Sequence, residues 1–193
     1  MNLPEILLLA VGLSMDAFAV AICVGLKIRK FTINKALIAG LYFGLFQAGM
    51  PIIGYLLAIQ LTDIVADFSP WIAFALLSFI GGKMLADGLK KDENCCEVIS
   101  SQDEHAAVSF GVMLPLAVAT SIDAMAVGVS LAFLHVNIML AAVLIGLTTL
   151  IISVAGVKIG NMFGSRYKSK AEILGGVILI GIGLHILLEN FLR

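Results

Sequence analysis

Long apolar stretches separated by short polar connections run through the whole chain. Each stretch has about the 20 residues that a helix needs to cross the hydrocarbon core of a bilayer. The chain has six of them: Leu3–Leu26, Lys35–Leu61, Pro70–Leu89, Phe110–Leu134, Asn137–Asn161 and Ala171–Leu192. The pattern predicts an all-α membrane protein with six transmembrane helices.

Composition supports a membrane location. Of the 193 residues, 61% are hydrophobic and 13% are charged, and the mean hydropathy is +1.08. A soluble domain is nearer half apolar and a quarter charged. The lipid bilayer is therefore the expected partner of this surface. The net charge of -1 gives no indication of a nucleic-acid partner.

The basic residues lie on one side of the predicted helices. The connections after the first, third and fifth stretches hold Lys27, Arg29, Lys30, Lys35, Lys90, Lys91, Arg166, Lys168 and Lys170, with Lys158 close by. The second-to-third and fourth-to-fifth connections hold no Lys or Arg. The positive-inside rule then predicts a multi-pass protein of the bacterial inner membrane with both termini outside.

One segment of the first stretch recurs in the fourth. Ser14–Val20 (SMDAFAV) matches Ser121–Val127 (SIDAMAV), 107 residues later. Small residues, which let helix backbones approach closely, continue the match: Ala17, Ala21 and Gly25 correspond to Ala124, Gly128 and Ala132. In the second and fifth stretches the offset is 106 residues, with Gly40, Gly54 and Gln47 corresponding to Gly146, Gly160 and Ser153.

The repeat predicts the architecture. Three helices are an odd number, so a second copy enters the membrane from the opposite face. We expect two inverted-topology three-helix repeats, residues 1–89 and 110–193, joined by a polar cytoplasmic linker at 90–109. Secondary transporters are often built this way, with the substrate near the midplane between the repeats. The alternative is a duplicated bundle with a structural role.

Asp16 and Asp123 are the central candidates for function. Each lies near the middle of its span, where a carboxylate costs about 2.5–3.5 kcal/mol on insertion scales. The repeat brings the two together, and a divalent cation would balance both charges. A metal site is therefore predicted. A bare proton relay, or a structural pair capped by hydroxyls or by Lys83, are the alternatives.

Further side chains could complete or support the site. A hard cation takes about six oxygen ligands, and Gln47, Ser153 and Thr120 could each supply one. Met50 shares the helical face of Gln47. Its thioether would favour a transition metal, although methionine commonly fills gaps in packing.

Other polar positions have more than one interpretation. Ser14 and Ser121 precede the aspartates by two residues, so they point away and are expected to bond main-chain or neighbouring-helix groups. Pro51 either kinks the second helix or frees carbonyls toward a cavity.

Two pairs of charged residues lie near the ends of the third and sixth stretches. Lys83 and Asp87 are one turn apart near the predicted cytoplasmic end, and His185 and Glu189 near the outer end. They could be gates or proton-exchange groups. The alternative is a set of side chains that reach the interface and form local ion pairs.

The sequence resembles the MntP family of bacterial manganese efflux pumps. The resemblance is carried by the two aspartate segments together with Phe79–Met84 (FIGGKM) and Lys170–Gly176 (KAEILGG). It implies a six-helix exporter with Mn²⁺ as substrate, no cofactor, and Asp16 and Asp123 as the functional acids. The family also allows a carboxylate where Gln47 stands, and an amide there lowers the charge of the site by one.

These points together predict a secondary transporter that exports Mn²⁺ by alternating access at a midplane two-aspartate site, with protons as a possible coupling ion. The chain has no G-x-x-x-x-G-K-[ST] nucleotide loop and no H-E-x-x-H metalloprotease motif, so we expect neither ATP coupling within the chain nor an enzyme. The alternative is an exporter of a basic amino acid or another small cation, with Lys83 facing the substrate carboxylate.

Overall fold

The computed structural model describes residues 3–28, 31–59, 69–89, 109–134, 136–163 and 168–191. These residues form α1 (Leu3–Lys27), α2 (Ile33–Ala58), α3 (Ser69–Leu89), α4 (Phe110–Phe133), α5 (Ile138–Phe163) and α6 (Lys168–Phe191). The prediction of an all-helical protein is confirmed, with boundaries shifted by a few residues. The linker at 90–108 lies outside the described residues.

Within the part of the chain that the structure describes, four helices are long and apolar enough to cross a membrane: α1, α2, α4 and α5. Within the described part of α3 and α6, the apolar stretches are shorter, at Ala73–Ala86 and Glu172–Leu188. Large apolar side chains cover the outside of the molecule, including Leu45, Leu57, Phe79 and Ile151, each more than 60% exposed. Such a surface needs lipid around it. The chain is a multi-pass membrane protein.

The helices pack mainly across the two halves of the sequence. α1 lies against α5 and α6, α2 lies against α4 and α5, and α3 lies against α6 and α4. Contacts between α1 and α2, or between α4 and α5, are slight. The core is therefore made jointly by α1, α2 and α3 with α4, α5 and α6.

Glycines bring the backbones together at two of these contacts. A Cβ built on Gly25 of α1 would lie 2.1 Å from the main-chain oxygen of Val157 in α5. A Cβ built on Gly128 of α4 would lie 2.1 Å from the main-chain oxygen of Pro51 in α2. A side chain at either position would overlap the neighbouring backbone, so only glycine permits this spacing.

α2 continues through Pro51, from Ile33 to Ala58. The proline ring carries no N–H, so the main-chain carbonyl of Gln47, four residues earlier, has no donor in its own helix. A freed carbonyl, one of the two alternatives given for Pro51, is therefore expected from the helix geometry. Pro51 is buried against α4, and Gln47 is 0% exposed, so the freed carbonyl lies within the bundle.

The buried apolar residues form two separate clusters. The first apolar cluster contains Ile6, Leu9, Ala10, Leu13, Ala73, Leu77, Ile80, Met84, Ala124, Val127, Leu131, Val136, Ala141, Ile145, Leu179, Ile182 and Ile186. The second apolar cluster contains Ala17, Ala21, Cys23, Val24, Ile28, Ala36, Ala39, Phe43, Met113, Ala117 and Val157. Both clusters stabilise the packing of the helices. Polar side chains lie between the two clusters, and they are the candidates for a functional site.

Candidate functional site

A layer of polar side chains separates the two apolar clusters. Along α1, Leu13 belongs to the first apolar cluster and Ala17 to the second, and Asp16 lies between them. Along α4 the order is reversed, with Ala117 in the second apolar cluster and Ala124 in the first. The two clusters are therefore met in opposite order along α1 and α4.

The same change occurs on the other two central helices. On α2, Phe43 belongs to the second apolar cluster and Met50 packs against the first. On α5, Ile145 belongs to the first and Val157 to the second. We call the side chains at these transitions the polar layer; its members are Ser14, Asp16, Gln47, Thr120, Ser121, Asp123, Thr149 and Ser153. All are buried except Asp16, which is partly buried.

Asp123 has a basic partner from another helix. The ammonium of Lys83, on α3, donates to Oδ2 of Asp123 at 3.0 Å and to Oδ1 at 3.2 Å. The Asp123 side chain is 12% exposed and the Lys83 side chain 49% exposed. The interpretation in which Lys83 caps an intramembrane carboxylate therefore describes Asp123 in this conformation.

Gln47 lies fully buried beside the turn of α1 that carries Asp16. Its Nε2 donates to the main-chain oxygen of Leu13 at 3.1 Å, while its Oε1 has no hydrogen-bond partner. Its main-chain carbonyl lacks the helix donor that Pro51 cannot supply. The side-chain Oε1 of this buried residue is therefore an unpartnered oxygen that a ligand could use.

Ser153, the repeat counterpart of Gln47, has the same property. Its Oγ is fully buried and without a hydrogen-bond partner. A buried polar atom that makes no hydrogen bond costs free energy, and such atoms are uncommon in folded proteins. Among the described residues, Ser78 of α3 has the other unpartnered buried side-chain oxygen.

The hydroxyls of Ser14, Thr149 and Ser121 in the polar layer have hydrogen-bond partners within the protein. The Ser14 hydroxyl donates to the main-chain oxygen of Ala10 at 2.6 Å, and a hydrogen bond of 2.8 Å joins it to the Thr149 hydroxyl of α5. Ser121 donates to the main-chain oxygen of Val118 at 3.0 Å. The prediction that Ser14 and Ser121 bond main-chain or neighbouring-helix groups is confirmed.

Thr120 and Met50 have contacts typical of packing. The Thr120 hydroxyl lies 3.0 Å from the main-chain oxygen of Leu116 and 3.1 Å from that of Ala117, so its hydrogen is used within α4. Its oxygen keeps lone pairs that a cation could use. Met50 packs against the first apolar cluster. Their predicted supporting roles stay predictions.

Of the other charged candidates, the structure describes the side chain of His185. His185 of α6 has its Nε2 3.8 Å from Oε1 of Glu5 on α1. This contact joins two helices, and the local pair of His185 with Glu189 stays a prediction. The side chains of Asp87 and Glu189 lie outside the described residues.

Glu172 is a candidate that sequence reasoning missed. It is 8% exposed on α6, one turn before the glycines that meet α1 and α3. A Cβ on Gly175 would lie 2.8 Å from the main-chain oxygen of Gly12, and one on Gly176 would lie 2.6 Å from that of Gly81. The available signal was an acidic residue inside an apolar, glycine-containing segment.

Carboxylates alone do not form a metal cage in the described part of the chain. No group of three or more His, Cys, Asp or Glu side chains there could hold a metal ion. A divalent cation in the polar layer would therefore need amide, hydroxyl or main-chain oxygens as well. Gln47 and Ser153 carry oxygens of these kinds that no protein group occupies.

Buried polar groups enclosed by apolar clusters among membrane-spanning helices are features of membrane transport proteins. Comparison with known proteins gives the family. Residues 30–187 match the family model described as "Putative manganese efflux pump", and the chain belongs to this MntP family. No solved structure matches it.

Relatives from different bacteria match over nearly their whole length. The chain is 51% identical to the "Putative manganese efflux pump MntP" of Acetivibrio thermocellus, over 98% of this chain and 92% of the relative. It is 51% identical to that of Mannheimia succiniciproducens, over 100% and 99%, and 46% identical to that of Cronobacter sakazakii, over 99% of each. These relatives are named as pumps.

Proposed function

We propose that this protein is a secondary transporter that exports Mn²⁺ from the cytoplasm by alternating access. The observation that carries the proposal is the polar layer, which holds two intramembrane aspartates and unpartnered buried oxygens and has an apolar cluster on each side. A cation bound there would be shielded from both membrane surfaces. The family's name supplies the metal and the direction.

Six transmembrane helices in two inverted repeats account for the packing. An inverted repeat relates α1 to α4, α2 to α5 and α3 to α6. It therefore pairs the α1–α5 contact with the α4–α2 contact, and the α1–α6 contact with the α4–α3 contact. All four of these contacts are present. This correspondence supports two halves that move against each other around the polar layer.

In this proposal Asp16, Asp123 and Gln47 bind the metal, with Ser153 and Thr120 as supporting oxygens. A proton and a metal ion compete for the same carboxylate, so protonation from the outside would promote release. Protons or the membrane potential supply the energy. Mn²⁺ is the substrate, and neither a cofactor nor enzymatic chemistry is part of the mechanism.

Export of a basic amino acid fits the geometry less well. That substrate would need a cationic group for its own carboxylate, and Lys83 is engaged by Asp123 at 3.0 Å. The helices around the polar layer also approach to glycine-limited distances. An ion fits such a space better than an amino acid does.

Neutralising the aspartates tests the function directly. We expect Asp16→Asn and Asp123→Asn each to reduce Mn²⁺ export by about tenfold or more, because loss of one carboxylate removes over 1.4 kcal/mol of cation binding. The measurement is intracellular manganese in an exporter-deleted bacterium that expresses each variant at matched levels under Mn²⁺ challenge.

Glu5→Gln is the matched control. Glu5 is an acid of the same helix as Asp16, but it pairs with His185 outside the polar layer. We expect this variant to export as the wild type does. Undiminished export by both aspartate variants would refute the proposed site.

A further inference from the structure

Lys83 occupies the part of Asp123 that a metal ion would use. Its Nζ lies 3.0 Å from Oδ2 and 3.2 Å from Oδ1, so one ammonium bridges both oxygens of the carboxylate. A divalent cation bound by Asp123 would take one or both of these oxygens. Two cations of like charge repel strongly at that separation. Metal and ammonium therefore exclude each other.

The lysine is the partner that can leave. Asp123 is held on a buried face of α4, between Ala117 and Ala124, both 0% exposed. The Lys83 side chain is 49% exposed, and its flexible four-carbon stem can carry the ammonium toward water while the stem stays on the protein surface.

We propose that Lys83 is a tethered cation that neutralises Asp123 when the site is empty and is displaced when Mn²⁺ binds. This inference rests on the proposed function for the identity of the ion. In the empty transporter, Lys83 spares the protein a buried uncompensated charge while the halves change position. In the loaded transporter, the displaced ammonium competes for Asp123 and promotes metal release.

On α6, His185 has its Nε2 3.8 Å from Oε1 of Glu5. Asp123 is the carboxylate at which the metal and the tethered ammonium compete. A structural ion pair would stabilise the fold without this competition, and metal binding separates the two roles.

The test uses the purified full-length protein in lipid nanodiscs. Bound Mn²⁺ is measured from the loss of the free-ion signal in electron paramagnetic resonance. Lys83 is then labelled with an amine-acetylating reagent, with and without saturating Mn²⁺, and quantified by mass spectrometry. We expect Mn²⁺ to raise the labelling of Lys83 about fivefold, the change that loss of a part-exposed ion pair supports. Lys27, exposed at the end of α1, should be unaffected.

Two variants give a second readout. Lys83→Met should bind Mn²⁺ about fivefold more tightly than the wild type, because the internal competitor is gone. Lys83→Arg keeps a competing cation and should stay within about twofold of the wild type. Weaker or unchanged binding by Lys83→Met would overturn the inference. If that variant does not fold, the labelling of the wild type decides alone.

The outcomes separate this inference from the function on which it rests. Mn²⁺ binding with unchanged labelling of Lys83 overturns the tethered cation and leaves the proposed exporter standing. Absence of Mn²⁺ binding overturns the proposed site, and the inference with it. In Asp123→Asn, labelling should already be high and should not respond to Mn²⁺.

Discussion

At the scale of single residues, two hydroxyls of α5, those of Thr149 and Ser153, differ in whether they have a hydrogen-bond partner. This difference allows effects on stability to be separated from effects on function. Thr149 shares a hydrogen bond with Ser14 at 2.8 Å, whereas Ser153, one turn later, has an unpartnered Oγ. A bonded hydroxyl stabilises the fold. A buried hydroxyl without a partner destabilises it unless something binds there.

Ser153→Ala should therefore reduce Mn²⁺ affinity without reducing stability. Removal of an unsatisfied buried hydroxyl leaves the free energy of unfolding unchanged or raises it by up to about 1 kcal/mol. Thr149→Val should do the opposite, with about 1 kcal/mol lost and the Mn²⁺ affinity retained. Thermal unfolding in detergent and Mn²⁺ titration of each variant check this. Equal Mn²⁺ affinity in Ser153→Ala and the wild type would remove Ser153 from the site.

Gln47 permits a change of charge at nearly constant shape. Gln47→Glu replaces an uncharged oxygen donor with a carboxylate in the polar layer, so we expect Mn²⁺ to bind about tenfold more tightly and to leave more slowly. Gln47→Leu, of similar volume but without oxygen, should weaken binding. Mn²⁺ titration measures both affinities, and tighter binding by the leucine variant would contradict a ligand role.

At the scale of helices, the position of glycine among the repeated small residues of α1 and α4 determines where each helix contacts its neighbour. α1 has glycine at Gly25, where the repeat gives α4 an alanine, Ala132. α4 has glycine at Gly128, where the repeat gives α1 an alanine, Ala21. Each glycine is the position where the partner backbone approaches. The α1–α5 and α2–α4 contacts therefore differ by four residues, about 6 Å along a helix.

Gly25→Ala and Gly128→Ala should each destabilise the protein by about 1–3 kcal/mol or more, because the added methyl group overlaps a main-chain oxygen at 2.1 Å. Gly49→Ala of α2 is the control, since a Cβ there meets no atom within 4 Å. Thermal unfolding of the three variants gives the comparison. Equal stability of Gly128→Ala and Gly49→Ala would contradict the close α2–α4 contact.

The sequence predicted the helices well and their partners less well. Hydropathy alone located all six helices, since a long apolar run has few other stable forms in lipid. The repeated SMDAFAV and SIDAMAV segments also indicated where the polar layer lies. They could not show that Lys83 of α3 would reach Asp123 of α4, or that Glu172 would be buried. Those facts depend on how α3 and α6 pack, and a linear repeat holds no such information.

At the scale of the whole molecule, topology is the prediction most easily checked. If both termini lie outside, alkaline phosphatase fused after Phe191 should be active, and a green fluorescent protein fused there should be dark. Fusions at the linker, residues 90–109, should behave in the opposite way because that segment follows the positive-inside rule. Fluorescence from the fusion after Phe191 would reverse the assignment of sides.

The two apolar clusters draw on different sets of helices, and this difference bears on the return of Mn²⁺ into the cell. The first apolar cluster draws on α3 and α6 as well as α1, α4 and α5, whereas the second, among the described residues, draws on α1, α2, α4 and α5. On the predicted topology the second faces the cytoplasm. A negative cell interior pulls a doubly charged ion inward with about 4.6 kcal/mol per 100 mV. The first apolar cluster, which draws on five helices, then lies on the outer side, from which manganese would flow back into the cell. The second apolar cluster lies on the cytoplasmic side, where the proposed exporter takes up its ion.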